Sequence, residues 1–92
     1  MRRRPAMSKR EACQLRHELA AEKERRQCEQ PDCPCRQPLP AIALDWHHLD
    51  PSKKRLNISN AISLRSATPA RIRSEVQRCE VRCKVCHANV HG

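Results

Sequence analysis

Two cysteine knuckles, set far apart in a short chain, constrain the fold more than any other feature. Cys83 and Cys86 stand in C-x-x-C spacing, and Cys28 with either Cys33 or Cys35 supplies an opposing pair. Four thiolates so arranged can close a tetrahedron around one soft ion, as in a structural zinc site. Cys28 with Cys33 makes a longer knuckle than usual, while Cys33-x-Cys35 is tight, so the second ligand stays open between Cys33 and Cys35. The chain has 92 residues, with Trp46 its single aromatic and no Phe or Tyr. A chain this small hides only roughly 60–65% of its surface on folding, and a metal staple is the usual remedy for so slight a core. Seven cysteines could instead be a disulfide framework. The odd count, the ligand-like pairing and the lack of an apolar segment behind the basic Met1–Met7 favour reduced thiols in a cytoplasmic protein. No stretch approaches bilayer length.

A second set of donors is imidazole. His47 and His48 are adjacent, and His87 and His91 are four apart, which on a helix puts both on one face. His87, His91 and His47 can grip one divalent ion and leave positions for water and a phosphate oxygen, with His48 beside them to take a proton from the water. The bland alternative is a scatter of surface imidazoles, which is the reading given to His17. Cys13 and Cys79 fall in expected helices and read as small apolar packing.

Nineteen Lys and Arg against ten Asp and Glu give a net charge of +9, which draws polyanions without specifying a sequence. Ser8 and Glu11 have capping-box spacing, and Ala12, Leu15 and Leu19 recur at helical intervals, so a helix is expected from Ser8 to about Gln27. Its cations Lys9, Arg10, Arg16, Lys23, Arg25 and Arg26 form either a solvated surface or a track for phosphates. Four prolines at 31, 34, 38 and 40 then break regularity around the first knuckle.

Ala41 to His48 alternates Ile42, Leu44 and Trp46 against smaller or polar residues, which predicts a strand ending in the histidine pair. Neighbours on a regular strand face opposite ways, so the two histidines share a site only if the backbone bends there. Ser52 to Arg55 reads as a basic loop and Leu56 to Ser59 as a short extended piece. Thr68 and Pro69 open a helix expected to run to Cys79, followed by a strand over Glu80–Cys83, and then the second knuckle with a helical turn or two. Left-handed turns are expected at Asn or Asp, since Gly92 is the only glycine.

With Cys28, Cys33, Leu44-Asp-Trp-His-His48-Leu-Asp-Pro51-Ser-Lys-Lys54, Glu75, Cys79-Glu-Val-Arg-Cys83, Cys86, His87 and His91 in this order, the chain resembles the small HNH endonucleases of bacteria and phages over about Cys28–His91. The resemblance implies an α+β fold: a zinc-braced ββα-metal domain over 28–92, behind a basic helical extension over 1–27. It implies metal-dependent cleavage of DNA in a bacterial cell or phage-infected host. His48 then falls at the general base, and His47, His87 and His91 at the ligands of a catalytic Mg2+, Mn2+, Ni2+ or Zn2+. Cys28, Cys33, Cys83 and Cys86 would hold the structural Zn2+, and Lys53, Lys54, Arg55 and Arg78 would meet DNA. The family's middle Asn is replaced by Arg78, whose fork suits a phosphate; Asn57 and Asn60 are the candidates to stand in for it. The competing readings are a noncatalytic zinc-binding nucleic-acid module and a ribosome-associated basic protein.

Overall fold

The computed structural model describes residues 4–35 and 38–86. Helix α1 spans Lys9–Arg26 and is capped as its sequence requires: the Ser8 side chain accepts from the Glu11 N–H while the Glu11 carboxylate accepts from the Ser8 N–H. Met7, just before the cap, is buried in the same cluster as Ala12, in the manner of a hydrophobic staple. Two further helices follow, α2 over Ile58–Leu64 and α3 over Pro69–Val76. Strands β1 (Leu44–His48) and β2 (Cys79–Cys83) form one antiparallel ribbon in which Leu44 faces Cys83 and His48 faces Cys79. The fold is therefore a small α+β domain. None of its described helices is long and apolar enough to cross a membrane.

Two apolar clusters meet at Trp46. The larger joins Leu15 and Leu19 of α1 to Ile58 and Ile62 of α2, Ile72 and Val76 of α3, and Cys79. The smaller joins Leu44, Val81, Cys83 and Cys86, with Cys28, Cys33 and Cys35 packed beside them. The segment before Cys28, set apart above as an extension, thus contributes its apolar row to the main core. Residues 84–86 are helical, as expected for the start of the second knuckle's helix; His87 and His91 lie outside the described residues.

The structure differs from the sequence expectations at four places. Ala41–Ala43 is a 3-10 turn and Ile42 is 83% exposed, so the strand begins only at Leu44, where β2 offers partners. Leu56 to Ser59 is not an extended piece: Asn57 caps α2 by accepting from the Asn60 N–H, and Ile58, Ala61 and Ile62 turn inward at helical spacing. Helix α3 stops at Val76, and Cys79 opens β2 instead of closing the helix. Among the described residues the positive-φ positions are Gln27 and Arg65, not Asn or Asp. Such a conformation costs a non-glycine residue about 1–3 kcal/mol, and at Gln27 the amide offsets this by bonding the Glu24 carbonyl and both backbone groups of Leu39.

Leu15 is 1% exposed at the centre of the larger cluster. Leu15→Ala should destabilise the whole domain by about 2–5 kcal/mol. A urea midpoint lowered for both the helical signal and Trp46 fluorescence is the expected result; loss of helix signal alone would show that α1 folds apart from the ribbon.

Candidate metal centre and histidine site

The first knuckle reaches the second through β2. The Glu29 N–H donates to the Val81 carbonyl, and the Glu29 carboxylate accepts from the Val81 N–H, at 2.8 and 2.7 Å. Arg26 ties the same carboxylate to the Cys79 carbonyl, and Gln30 reaches Glu80. The outer edge of β2 is thereby satisfied by the chain carrying Cys28, which a two-stranded ribbon otherwise leaves open.

The result is a cluster of Cys28, Cys33, Cys83 and Cys86 whose sulfurs all lie within 4.8 Å of one another. Cys33 and Cys83 are 3.6 Å apart, close to the edge of about 3.8 Å that a sulfur tetrahedron around zinc requires at about 2.3 Å per bond. These residues fit a structural metal such as zinc. The alternative left open at the second position resolves toward Cys33. Cys35 lies 3.9 Å from Cys83 and stays outside the four-membered set. The thiols share their protons unevenly. Burial works against ionising Cys83, yet the N–H and thiol of Cys86 and the thiols of Cys33 and Cys28 bring it down to about 6. Against the lowering pull of the Cys35 N–H, burial and the hydrogen bonds to Cys28 and Cys83 push Cys33 up to about 11. Zinc takes thiolates, so metal binding at this cluster would release protons.

The histidine pair sits at the far end of the ribbon. The strand is regular through both residues, so no bend brings them to one face: His47 pairs across with Glu80 on the outer side and His48 with Cys79 on the core side. Among the described residues the cysteines are the one group of three or more donors that could hold a metal, and of the three imidazoles assigned to a second ion only His47 falls within the described residues.

His48 is instead engaged by a carboxylate. Its Nε2 lies 2.9 Å from Oε1 of Glu75, which is 4% exposed on the inner face of α3 and also accepts from the Arg55 N–H. Burial alone would raise the Glu75 pKa, but the Arg55 N–H, the His48 ring and the nearby Arg78 charge together hold it below the ordinary value. An ionised carboxylate only accepts, so Nε2 donates, and in the neutral ring that tautomer places the lone pair on Nδ1. The sequence reading assigned Glu75 no role, although its position shows one: it falls between Ile72 and Val76 on the apolar stripe of α3, where a carboxylate needs a partner.

Two clefts flank His48. One, of about 580 Å³, is walled by Lys53, Arg55 and Arg78 with Leu49 and Asp50; the other, of about 310 Å³, includes Lys54, Asn57 and Lys23. Among the described residues the side chains of Lys53, Lys54, Arg55 and Arg78 form no salt bridge, whereas Arg25, Arg26, Arg73, Arg82 and Lys84 are each paired with a carboxylate. Arg78 fixes the turn after the histidines through its carbonyl, which accepts from the Leu49 N–H. Asn57 stands beside His48 while its side chain caps α2, and Asn60 does not line that cleft. Cys79, pushed up to about 11 by burial and then by Glu75, behaves as the packing thiol expected, while Cys13 is exposed. No family model matches the chain, and no curated protein or solved structure matches it.

Cys83→Ser or Cys86→Ser should abolish zinc binding and unfold the domain, because a structural metal held by this cluster would contribute directly to folding. Cys35→Ser should keep one zinc per chain with a native spectrum, and Cys33→Ser should not. Metal analysis with circular dichroism decides. Glu75 supplies a separate acid limb. Its depressed native pKa adds stability that is complete above the ordinary value of 4.5 and is lost as pH falls through the native value. Urea midpoints followed downward from neutral pH should therefore fall less steeply below that value in Glu75→Gln than in the unaltered chain.

Proposed function

We propose that the chain is a metal-dependent endonuclease of the HNH type that hydrolyses DNA phosphodiester bonds, with His48 as its general base. The observation that carries this reading is the contact between His48 and Glu75. A carboxylate behind the ring sets its tautomer and orientation, leaving a basic nitrogen for an attacking water. Around that ring lie cations whose side chains form no salt bridge among the described residues, on a chain of net charge +9, which suits a phosphate at this place. Arg78 and Arg55 offer planar forks to the phosphate oxygens, and Lys53 and Lys54 offer point charges. A divalent ion, assigned to His47, His87 and His91, would neutralise charge building on the phosphate and leaving oxygen. The cysteine cluster would brace the ribbon with zinc, at a distance from the reacting atoms.

The reading to be separated from this is a noncatalytic zinc-binding nucleic-acid module. It is favoured by the same contact, because a buried His–Glu bridge also pins β1 to α3 whether or not a reaction occurs.

Supercoiled plasmid and a panel of divalent ions distinguish the two. A nuclease converts the plasmid to nicked or linear form with added ion, whereas a module binds and leaves it intact. His48→Ala should lower the cleavage rate by about 10²–10⁴-fold at unchanged DNA affinity. Glu75→Gln should cost about 10–100-fold, as removal of an orienting partner does. His47→Ala, His87→Ala and His91→Ala should weaken the response to metal and regain activity with excess ion, which His48→Ala should not. Normal cutting by His48→Ala would reject it as the base, and rescue of His48→Ala but not His47→Ala would exchange their roles.

A further inference from the structure

Helix α1 has two flanks of opposite sign. Glu18 and Glu22, one turn apart, line a cleft against α3 in which Arg73 bonds Glu18. Arg16 and Lys23, on the other side of the Leu15–Leu19 row, line a cleft of about 230 Å³ against α2, with Ser59 and Ser63 opposite. This second cleft shares Lys23, Trp46, Ile58 and Ser59 with the cleft beside His48, so the two form one trough running from His48 and Lys54 along α1.

Charge in the trough is one-sided. Its single carboxylate, Asp45, is bonded to Lys84 at 2.7 Å. The acids of α1 are used elsewhere: Glu11 in the cap, Glu22 on Arg25, Glu24 on the Ala41 N–H. Arg16 and Lys54 make no side-chain hydrogen bond or salt bridge among the described residues, while Lys23 donates to the Leu44 carbonyl, and burial lowers its pKa. Arg16 and Lys23 are seven positions apart on the helix, about 10 Å of rise, which exceeds the axial spacing of about 3.4 Å between neighbouring phosphates of one strand, so the two cations can meet different phosphates.

We infer that this trough seats the DNA strand on one side of the phosphate held at His48, with Lys54, Lys23 and Arg16 meeting successive backbone phosphates. This rests on the proposed action on DNA and extends it: α1 is half of the substrate groove as well as part of the core. The occupant is an extended polyanion, because the trough is elongated, its α1 wall carries Arg16 and Lys23 with Lys54 at the His48 end, its α2 wall offers the neutral hydroxyls of Ser59 and Ser63, and its lining includes Leu19 and Trp46.

The test adds charge without removing any contact. Ser63 is exposed on the α2 wall, and Ser63→Glu places a carboxylate in the trough at a change of one unit in net charge. Arg71→Glu, on α3 away from both clefts, changes net charge by two. Binding is read by fluorescence anisotropy of a labelled DNA oligonucleotide, in the His48→Ala background and over a range of salt. Ser63→Glu should weaken binding at least about tenfold, as like charges at close range do, and more than Arg71→Glu. Arg16→Gln, which does not depend on Ser63→Glu folding, should lower the slope of log affinity against log salt by about one.

If Arg71→Glu weakens binding more than Ser63→Glu, net charge alone holds the DNA and the trough is overturned. An unchanged salt slope in Arg16→Gln overturns it as well, as does tighter, trough-dependent binding of RNA of the same sequence. The nuclease reading is scored separately on plasmid. Trough-dependent binding without cutting supports the trough and rejects the nuclease; cutting by a protein whose Ser63→Glu and Arg16→Gln forms bind unchanged does the reverse.

Discussion

The meeting of residues 28 and 33 with residues 83 and 86 is the constraint on which the rest depends. It joins parts of the chain some fifty residues apart, and closing a loop of that length carries an entropic cost toward which the small cluster of Leu44, Val81 and Trp46 contributes burial. A structural zinc held there would add far more than any single apolar contact of this fold, since such sites contribute about 10–16 kcal/mol near neutral pH in zinc-finger peptides. Glu29 makes the same junction with hydrogen bonds to Val81, so the strand edge and the sulfur cluster are satisfied by one segment.

From that junction the ribbon carries order toward its other end. The register that puts Leu44 opposite Cys83 also puts His48 opposite Cys79, and the turn from α3 into β2 brings Glu75 under the imidazole. A carboxylate 4% exposed is costly unless paired, and here an imidazole, a backbone N–H and the charge of Arg78 all act on it. The pair fastens β1 to α3, and His48 lines two cationic clefts. On the proposed reading stability and chemistry would converge on one contact, which is why binding, cutting and unfolding must be measured separately.

The apolar row of α1 bears on both as well. Leu15 and Leu19 bury against α2 and α3, and the row continues, four residues on, into Lys23, whose ammonium reaches the Leu44 carbonyl. Arg26 then sits over Trp46, with its guanidinium carbon 5.3 Å from the ring centroid, a cation–π distance. A helix that is mostly charge on its surface is thus joined to the ribbon by the aliphatic and cationic parts of the same side chains.

Local signals in the sequence were enough for several elements. Ser8 with Glu11 and Thr68 with Pro69 mark helix starts because a cap is made within four residues, and the knuckle residues announce their ligand chemistry through spacing. The sequence by itself therefore determined the helix starts of α1 and α3, a strand ending in the histidine pair, and the thiols able to hold a metal. Tertiary structure alone decided the rest. Whether Cys33 or Cys35 joins the cluster depends on how β2 receives residues 28–30, and whether Ile42 continues a strand depends on where the partner strand ends. Helix α2 is too short for its period to stand out, and its burial against α1 selects it. The opposite faces of His47 and His48, and the carboxylate behind His48, follow from a cross-strand register and a helix crossing. No window of local sequence contains these, because the interacting atoms belong to residues 27 or more positions apart.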